Sequence, residues 1–301
     1  MKRHRMGIRQ LRALIAIADT GSFRRAAERL FITQSAISMQ MTSLEKQWSI
    51  KLFDRSKRPP TLYPQGLALA ARARRIVEEY DTLAVRANSP DDSLVGSVRL
   101  GVVPSVATTV LPKVLLRARQ LYPQLRIRVE DGLSQELSFR VNQGRIDAAI
   151  VTDPNTEESN LVRRVIWRET LKLIVHRDLS RRSFDELLSQ YPFIRFNAAM
   201  AGVGRIIDGV LQTRPYVVDD AMALGSAEAI CQMVALNLGI SIIPENLAPP
   251  KLRSKIIALS LPPPRVARTV SLVMRPESSD APAISRLFLQ FKEFAPVPTG
   301  R

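Results

Sequence analysis

Two short amphipathic helices joined by a tight turn, within residues 22–45, constrain this chain more than any other feature. The first helix starts at Ser22, a good N-cap, and repeats apolar residues at three- and four-residue spacing. Thr33 can cap the second helix, whose apolar residues form a single stripe that we expect to pack inward. This pattern predicts a helix-turn-helix. The stripe consists of Ile37, Met41, Leu44 and Trp48.

The opposite face of the second helix carries small polar groups. Hydroxyl and amide groups of this size suit the base edges in a DNA major groove. The alternative is an ordinary helical hairpin with a solvated polar face. We predict DNA contacts, to bases or to the backbone beside them, for Thr33, Gln34, Ser35, Ser38, Met39 and Thr42.

Positive charge is concentrated around these helices. The 301 residues include 44 Lys and Arg against 28 Asp and Glu, a net charge of +16. Residues 1–88 hold 17 of the basic and 7 of the acidic residues, so most of the excess lies in less than a third of the chain. Because phosphate contacts supply most sequence-independent affinity for DNA, this distribution favours the DNA-binding interpretation. A membrane partner is not expected, since these helices would bury their apolar faces.

Two flanking segments complete a winged module over residues 1–63. Residues 8–18 predict another amphipathic helix rather than a secretory signal, because two arginines interrupt their short apolar run. Residues 50–55 and 61–63 predict two short strands around a Pro-rich tip. Basic side chains of this wing can meet phosphate or a minor groove, and a solvated basic loop is the alternative. They are Arg55, Lys57 and Arg58.

Residues 64–88 predict one long helix with an apolar seam. The seam alternates steps of four and three residues, the heptad pattern by which two helices bury a shared stripe. A dimer is favoured because a doubled module reads two half-sites, and packing against the chain's own body is the alternative. The polar, Pro- and Gly-containing residues 89–96 then predict a hinge. The seam consists of Leu69, Ala73, Ile76, Tyr80, Leu83 and Ala87.

The rest of the chain predicts an α/β fold with two lobes, because strands and helices alternate at a spacing that implies parallel pairing. The first lobe is expected to have strands at 98–103, 125–130 and 147–151 and helices at 110–121 and 136–143. The second is expected to have strands at 171–176, 193–196, 216–218 and 240–243 and helices at 184–189, 203–211 and 227–238. A last strand and helix are expected at 269–274 and 283–294.

A cleft between two such lobes offers helix N-termini and strand ends, which suit small anions. In the first lobe Ser105 follows one strand and Thr152 ends another. In the second lobe Asn197 to Gly202 follow a strand, and Ser226 precedes a helix. These residues are the candidate effector contacts. The alternative is that the two serines are only N-caps and that Thr152 is only a strand terminus.

No enzyme, metal site or cofactor is expected. His4 and His176 are the only histidines, so neither a metal cluster nor a Ser-His-Asp arrangement can be assembled. Gly202-Val-Gly204 lacks the spacing of a dinucleotide fingerprint and is interpreted as a loop. The single cysteine, Cys231, falls on the apolar side of a helix, which predicts a buried side chain rather than a redox switch and suits a reducing cytoplasm. No run of eighteen apolar residues predicts a membrane span.

Short motifs along essentially the whole chain match one protein family. The N-terminal motifs are Leu11-Arg-Ala-Leu14, Gly21-Ser-Phe23, Ala26-Ala27, Leu30, Thr33-Gln-Ser-Ala-Ile-Ser38, Leu44-Glu45, Leu52-Phe-Asp-Arg55 and Gly66. The later motifs are Gly96-Ser-Val-Arg-Leu-Gly101 and Gly144-Arg-Ile-Asp-Ala-Ala-Ile150. Through these residues the chain resembles the LysR-type transcriptional regulators. One departure is Tyr63-Pro-Gln-Gly66, where Thr-Pro-Ala-Gly is more usual in that family.

This resemblance implies a winged helix-turn-helix, a linker helix and a two-lobed effector domain of the solute-binding-protein type. The last strand and helix would return to the first lobe, so that lobe I spans 97–167 and 268–301 and lobe II spans 168–267. The implied protein is a cytoplasmic homodimer or homotetramer that binds double-stranded DNA and a small-molecule effector. The resemblance places base contacts at Ser35, Ser38 and Met39, backbone contacts at or near Thr33, Gln34 and Arg55, and effector contacts at Ser105 and Thr152.

The sequence thus predicts a sequence-specific transcriptional regulator whose output depends on a small, anionic effector. Two other protein classes share parts of the pattern. A solute-binding protein would have the same lobes but would carry an export signal and lack the first 88 residues. A DNA-organising oligomer would use the lobes for assembly only.

Overall fold

A computed structural model describes residues 7–57, 59–87, 94–152, 160–196, 202–212, 218–263 and 266–296. Two of the predicted contacts, Arg58 and Asn197, lie outside these residues, as does most of the predicted hinge. Within the described residues, no helix is both long and apolar enough to cross a bilayer.

The helix-turn-helix is present as predicted. Ser22 and Thr33 are the N-caps of its two helices, and their hydroxyl oxygens accept hydrogen bonds from the backbone N–H groups of Arg25 and Ala36. Phe31, in the turn between them, has a left-handed backbone conformation with φ 54°. The inner faces of all three N-terminal helices share one buried core. These helices are α1 (Ile8–Thr20), α2 (Phe23–Leu30) and α3 (Gln34–Trp48).

The wing consists of β1 (Phe53–Asp54) and β2 (Thr61–Leu62), which pair antiparallel. Both strands are shorter than predicted. One Glu45 carboxylate oxygen accepts hydrogen bonds from the N–H groups of Leu52 (2.7 Å) and Phe53, so this backbone is bound to α3. At the tip, prolines offer no N–H for a longer ladder.

The long helix α4 (Pro64–Ala87) follows the wing and packs against α1. Leu11 of α1 and Ala73 and Val77 of α4 form a small buried cluster. Beside it, the buried Arg74 guanidinium forms an ion pair with Asp19 of α1. The helix is therefore part of the helix-turn-helix unit rather than a free connector.

Lobe I begins with three parallel strands, as predicted, in which β3 lies between β4 and β5. The helix expected at 110–121 is preceded by a separate short helix, which Pro104 starts directly after β3. The elements are β3 (Gly96–Val102), α5 (Pro104–Ala107), α6 (Leu111–Leu121), β4 (Leu125–Asp131), α7 (Ser134–Asn142) and β5 (Ala148–Thr152).

The strand expected at 171–176 is the end of a much longer strand, β6 (Val162–His176). Its first half lies in lobe I and its second half lies in lobe II, because different strands pair with the two halves. The first half contains Arg163, Arg164 and Arg168, which break the apolar alternation and concealed the strand in the sequence. The elements of lobe II are α8 (Phe184–Gln190), β7 (Phe193–Phe196), α9 (Gly202–Gln212), β8 (Asp220–Leu224), α10 (Ala227–Ala235), β9 (Ser241–Pro244) and β10 (Ile256–Ser260).

The chain returns to lobe I through β11 (Ala267–Met274) and α11 (Pro282–Glu293), as the family resemblance implied. Strand β11 lies antiparallel between β5 and the first half of β6. The main sheet has the order β10-β6-β11-β5-β3-β4, and β9 also pairs with β6. Each lobe has its own apolar core.

Several expectations for lobe II were wrong. Of the strand expected at 216–218, residues 216 and 217 lie outside the described residues and Val218 is in no strand; β8 begins at Asp220. Gly202 starts α9, so the Gly202–Gly204 segment is helical rather than a loop. Helix α10 ends before 238 because Asn237 takes a left-handed conformation. Strand β10 was missed, and purely parallel pairing fails because β6, β9, β10 and β11 pair antiparallel.

Gly144, in the turn after α7, lets lobe I approach α4 closely. Its φ is +65°, and a Cβ built there would lie 2.4 Å from the Ala71 Cβ on α4.

Gly144→Ala should lower the free energy of unfolding by about 2 kcal/mol or more, through left-handed strain and the clash. Urea unfolding followed by circular dichroism measures this change. Gly209→Ala is the control. Gly209 lies in α9 with open space around it, so this substitution should raise the free energy of unfolding by up to about 1 kcal/mol. Equal effects of the two variants would contradict the close approach.

Candidate functional site

Over residues 33–42, the outer face of α3 is exposed and carries no charge. Thr33, Gln34, Ser35 and Thr42 are exposed, Ser38 is half-buried, and the Met39 side chain is 73% exposed. On the inner face, Ile37, Met41 and Leu44 are fully buried in the core with α1 and α2. The packing of the apolar stripe therefore turns all the predicted base-contacting side chains of α3 outward.

The wing brings a cation against this face. The Arg55 guanidinium donates hydrogen bonds to Thr42 Oγ1 (3.1 Å) and to Glu45 Oε2 (2.9 Å) on α3. Arg55 is thus positioned beside the exposed face, with part of its charge balanced by Glu45. Lys57 is exposed and has no ion-pair or hydrogen-bond partner for its amine within the described chain. Arg58 cannot be placed, because it lies outside the described residues.

The wing is itself held by local hydrogen bonds. The Ser56 hydroxyl (2.5 Å) and the Ser56 N–H (3.1 Å) both donate to Asp54 Oδ1. These bonds lower the pKa of Asp54, with a further contribution from the charge of Lys57. The tip therefore leaves β1 in a turn that is fixed by these two hydrogen bonds.

One exposed residue of the helix-turn-helix was not singled out from the sequence. Phe31 is 94% exposed, and it directly precedes Ile32 and the Thr33 cap in the turn. The available signal was an apolar residue outside the helical period. Phe31 extends the exposed surface from the start of α3 toward α2.

The predicted seam of α4 divides between two environments. Ala73 is buried against α1, as the alternative of packing within the chain predicted. Ile76 and Tyr80 remain more than half exposed, and these two large apolar side chains are available to a second copy. Leu69 is half-buried, and the side chains of Leu83 and Ala87 lie outside the described residues.

In the lobes, Ser105 belongs to a buried charged cluster that the sequence did not reveal. Val103 is the N-cap of α5, so Ser105 is not a cap. Its Oγ accepts a hydrogen bond from Arg268 Nη1 at 3.1 Å. Arg268 forms an ion pair with Glu169 on the neighbouring strand, and their side chains are only 2% and 7% exposed. Sequence periodicity could not find this pair, because 99 residues separate its members.

Thr152 lies next to the same cluster. It pairs with Val270, two residues beyond Arg268 on β11. Its N–H donates to Ser134 Oγ (3.1 Å), and the two hydroxyl groups are 3.2 Å apart. Ser134, at the start of α7, is a further buried polar residue that sequence reasoning missed. The C-terminal ends of β3 and β5 thus bring Ser105, Thr152 and their polar partners to one edge of lobe I.

The lobe II candidates are less informative. Ser226 is the N-cap of α10, and its hydroxyl oxygen accepts a hydrogen bond from the N–H of Ala229, which agrees with the alternative of a cap. Gly202 is the first residue of α9, and Asn197 lies outside the described residues. Within the described chain, no group of three or more His, Cys, Asp or Glu side chains is arranged to hold a metal ion.

Removing the negative partner of the buried ion pair should destabilise the protein strongly. Glu169→Gln leaves the Arg268 charge buried without its carboxylate, which should cost about 3–5 kcal/mol in urea unfolding. Glu228→Gln makes the same change in an exposed pair with Lys251 and should cost less than about 1 kcal/mol. A cost for Glu169→Gln as small as that for Glu228→Gln would show that the cluster does not depend on this pair.

Comparison with known proteins agrees with this architecture. Escherichia coli OxyR, a DNA-binding transcriptional dual regulator, is 25% identical over 289 residues, covering 91% of this chain and 90% of OxyR. YfeR of Shigella flexneri, an uncharacterized HTH-type transcriptional regulator, is 27% identical over 285 residues, covering 93% and 92%.

Solved structures share the fold across nearly the whole chain. Full-length OxyR of Pseudomonas aeruginosa has a TM-score of 0.71 at 22% identity and covers 96% of each chain. Full-length CbnR, solved in complex with its target DNA, has a TM-score of 0.58 at 22% identity and covers 96% of this chain and 99% of CbnR.

Two family models match the two parts of the chain separately. The model of the bacterial regulatory helix-turn-helix proteins of the lysR family matches residues 8–67. The model of the LysR substrate-binding domain matches residues 91–296, which is more than half of the chain. The chain therefore belongs to the LysR family of DNA-binding transcriptional regulators, with an N-terminal helix-turn-helix and a two-lobed effector-binding domain.

Proposed function

We propose that this regulator reads DNA sequence with the outer face of α3 while cations of the wing hold the adjacent backbone. The observation that carries the proposal is the exposed, uncharged face of α3 over residues 33–42, with the Arg55 guanidinium bound beside it. A hydroxyl group both donates and accepts, so it can hydrogen-bond to a donor or an acceptor on a base edge. The Met39 side chain can pack on a thymine methyl group. We assign base contacts to Ser35, Ser38 and Met39 and supporting contacts to Thr33, Gln34 and Thr42.

Arg55 and Lys57 have different roles in this proposal. Lys57 contacts phosphate directly, since its amine has no hydrogen-bond or ion-pair partner among the described residues and interacts with Asp54 only through its charge. Arg55 orients Thr42 and reaches the backbone with the part of its guanidinium that Glu45 does not occupy. Arg58 is assigned to the same group of phosphate contacts from the sequence alone.

A second copy of the chain completes the DNA-reading unit. Ile76 and Tyr80 expose more than half of their apolar side chains on α4, a helix whose other side is already packed against α1. Pairing two α4 helices would bury these side chains and place two recognition helices on successive half-sites. We propose a homodimer through α4, or a homotetramer built from such dimers.

We propose that the effector is a small anion bound between the lobes, with Ser105 and Thr152 as contacts. Arg268 supplies positive charge next to Ser105, and Ser134 adds a hydroxyl beside Thr152. Asn197, Gly202 and Ser226 are the proposed lobe II contacts. Because β6 and β11 connect the lobes, an anion that competes with Glu169 for Arg268 would alter the lobe arrangement.

The effector acts by reversible binding rather than by thiol oxidation. Several relatives are hydrogen peroxide-inducible genes activators. This chain has one cysteine, Cys231, which is buried in α10. Burial, with a smaller contribution from the charge of Glu228, raises the pKa of the Cys231 thiol to about 11. Since the thiolate is the reactive form, Cys231 is a poor peroxide target.

We propose these domain bounds: 1–63 for the winged helix-turn-helix, 64–88 for the linker helix, 89–96 for the hinge, 97–167 with 268–301 for lobe I, and 168–267 for lobe II. The proposed location is the cytoplasm, where the DNA targets lie and a lone thiol stays reduced. We propose no catalytic activity, because the polar clusters described above serve binding and stability.

Substitutions on α3 and in the wing should affect DNA binding differently. Ser38→Ala should weaken binding to a selected DNA site by about 1–3 kcal/mol with no change for random duplex, because it removes a base contact. Lys57→Ala should weaken binding to all sequences alike and lower the salt slope by about 1. Fluorescence anisotropy of full-length protein on a site obtained by in vitro selection measures both quantities.

The matched control for this experiment is Ser43→Ala. Ser43 is an exposed serine of the same helix, about 140° around the axis from Ser38. It should leave both affinities unchanged. If Ser38→Ala and Ser43→Ala behaved identically, or if the wild type showed no preference over random DNA at any ionic strength, the recognition role of α3 would be refuted.

Hydrogen peroxide should not alter DNA binding by this protein. Wild type and Cys231→Ala should give the same binding isotherms before and after peroxide treatment, because the thiol is buried and protonated. Mass spectrometry should find no iodoacetamide adduct on native protein and a full adduct after denaturation. A peroxide response that Cys231→Ala abolishes would instead establish a thiol sensor.

A further inference from the structure

A cavity of about 530 Å³ lies where the helix-turn-helix unit and α4 meet lobe I. One wall is formed by α1, α2 and α4, and the other by β3, β4, α7 and the turn that follows α7. None of its lining residues in the described chain belongs to α3, to the wing, or to the cluster around Ser105. The cavity is therefore distinct from both sites proposed above. Its volume falls within the range of small-molecule sites.

Arginine dominates the lining of this junction cavity. Asp19 and Glu130 are the acidic residues among the described lining, and six arginines face them. Such an excess of guanidinium groups in one cavity favours an anionic occupant, because like charges repel until a counter-charge enters. The arginines are Arg29, Arg74, Arg99, Arg128, Arg140 and Arg145.

On the helix-turn-helix wall, two cations share one carboxylate. Asp19 Oδ2 accepts hydrogen bonds from Arg29 (3.0 Å) and Arg74 (3.1 Å). The Arg74 side chain is 92% buried, and its Nε has no acceptor among the described residues. A buried N–H donor without an acceptor costs free energy that a ligand oxygen can recover.

The lobe I wall carries two arginines with unpaired charge. Neither Arg128 nor Arg145 has an ion-pair or hydrogen-bond partner for its guanidinium in the part of the chain that the structure describes, and both are exposed. The other arginines of this wall form ion pairs within lobe I, Arg99 with Asp147 (2.6 Å) and Arg140 with Glu130 (2.8 Å).

We propose that the junction cavity binds a small multivalent anion of the phosphate class, such as a metabolite with a di- or polyphosphate group. Guanidinium groups form bidentate, charge-assisted hydrogen bonds with phosphate oxygens. Arg128 and Arg145 bind the anion from lobe I, and Arg74 binds it from α4. A single carboxylate would balance only one of the free charges, so a ligand with at least two negative charges fits the lining.

Such an anion would connect the two halves of the molecule. Its contacts lie on both walls, so it binds best to the arrangement in which α4 is docked on lobe I. A ligand that binds one arrangement better than another shifts the population toward it. The junction cavity would thus provide an input to DNA binding that is separate from the cleft between the lobes.

For a DNA-binding protein, the phosphate group in such a cavity can belong either to a free metabolite or to the DNA backbone. The lining favours the free anion, because α3 and the wing contribute none of the described lining residues. The two sources are separable, since removing a DNA phosphate contact lowers the salt dependence of DNA binding and removing a metabolite contact does not.

The test is isothermal titration of the full-length protein with pyrophosphate at about 150 mM salt, where surface attraction is screened. Wild type should bind one pyrophosphate per chain. Arg128→Gln/Arg145→Gln should bind about tenfold more weakly or worse, because two charge-assisted contacts are lost. Both arginines are exposed and unpaired, so the fold should survive, which circular dichroism checks.

The matched control is Arg181→Gln/Arg286→Gln. It makes the same change in net charge at two exposed arginines outside the cavity, and it should bind pyrophosphate like the wild type. No pyrophosphate binding by the wild type, or equal weakening in both double variants, would overturn the proposal. So would a fall of about 1–2 in the salt slope of DNA binding for Arg128→Gln/Arg145→Gln, since the cavity would then hold DNA phosphate.

Discussion

The packing of α4 between α1 and the turn at Gly144 holds the two halves of this regulator in one arrangement. On one side, Ala73 and Val77 bury apolar surface against Leu11. On the other, a residue without a Cβ lets lobe I approach the helix backbone. Both contacts involve the same turns of one rigid helix. A movement of lobe I that shifts α4 would therefore also shift the helix-turn-helix unit. The arginine-lined cavity lies at this junction, where a bound anion would have most effect on the arrangement.

The DNA-reading surface follows from packing rather than from any special property of its polar side chains. Burial of Ile37, Met41 and Leu44 determines which side of α3 faces solvent. Glu45 then joins the recognition helix to the wing, because its carboxylate accepts the Leu52 N–H and also the Arg55 guanidinium. The spacing between the uncharged face and the wing cations is therefore determined within the module. Because each chain holds its own recognition helix and wing together, a dimer would present two complete copies of this module.

A buried charge pair links two neighbouring antiparallel strands near the boundary between the lobes. Arg268 and Glu169 lie in β11 and β6, the strands that connect the two cores. A buried pair of this kind seldom adds much stability over an apolar alternative, but it is costly to break. Its hydrogen bond to Ser105 places this charge at the effector contact proposed above. The side chain of Cys231, by contrast, only fills space in the apolar core of lobe II.

Local pattern was enough to predict the helix-turn-helix, its caps at Ser22 and Thr33, the long helix and most strands of lobe I, because these depend on periodicity within about fifteen residues. It also identified the family, since the matching residues concentrate in those segments. Pattern failed where the partner is distant. The first half of β6 is arginine-rich and is a strand only because β11, about a hundred residues later, pairs with it.

The distance between partners along the chain also explains why the sequence predicted the face of α3 but not the charged clusters. The outer face of α3 belongs to a single helix, so the sequence by itself determined its chemistry. The Arg268–Glu169 pair, the buried Ser134 hydroxyl and the arginine-lined junction combine residues from distant parts of the chain. Their charges are visible in the sequence, but their proximity is not. Only the tertiary structure decided which charges meet, because ion pairs act through space and have no sequence period.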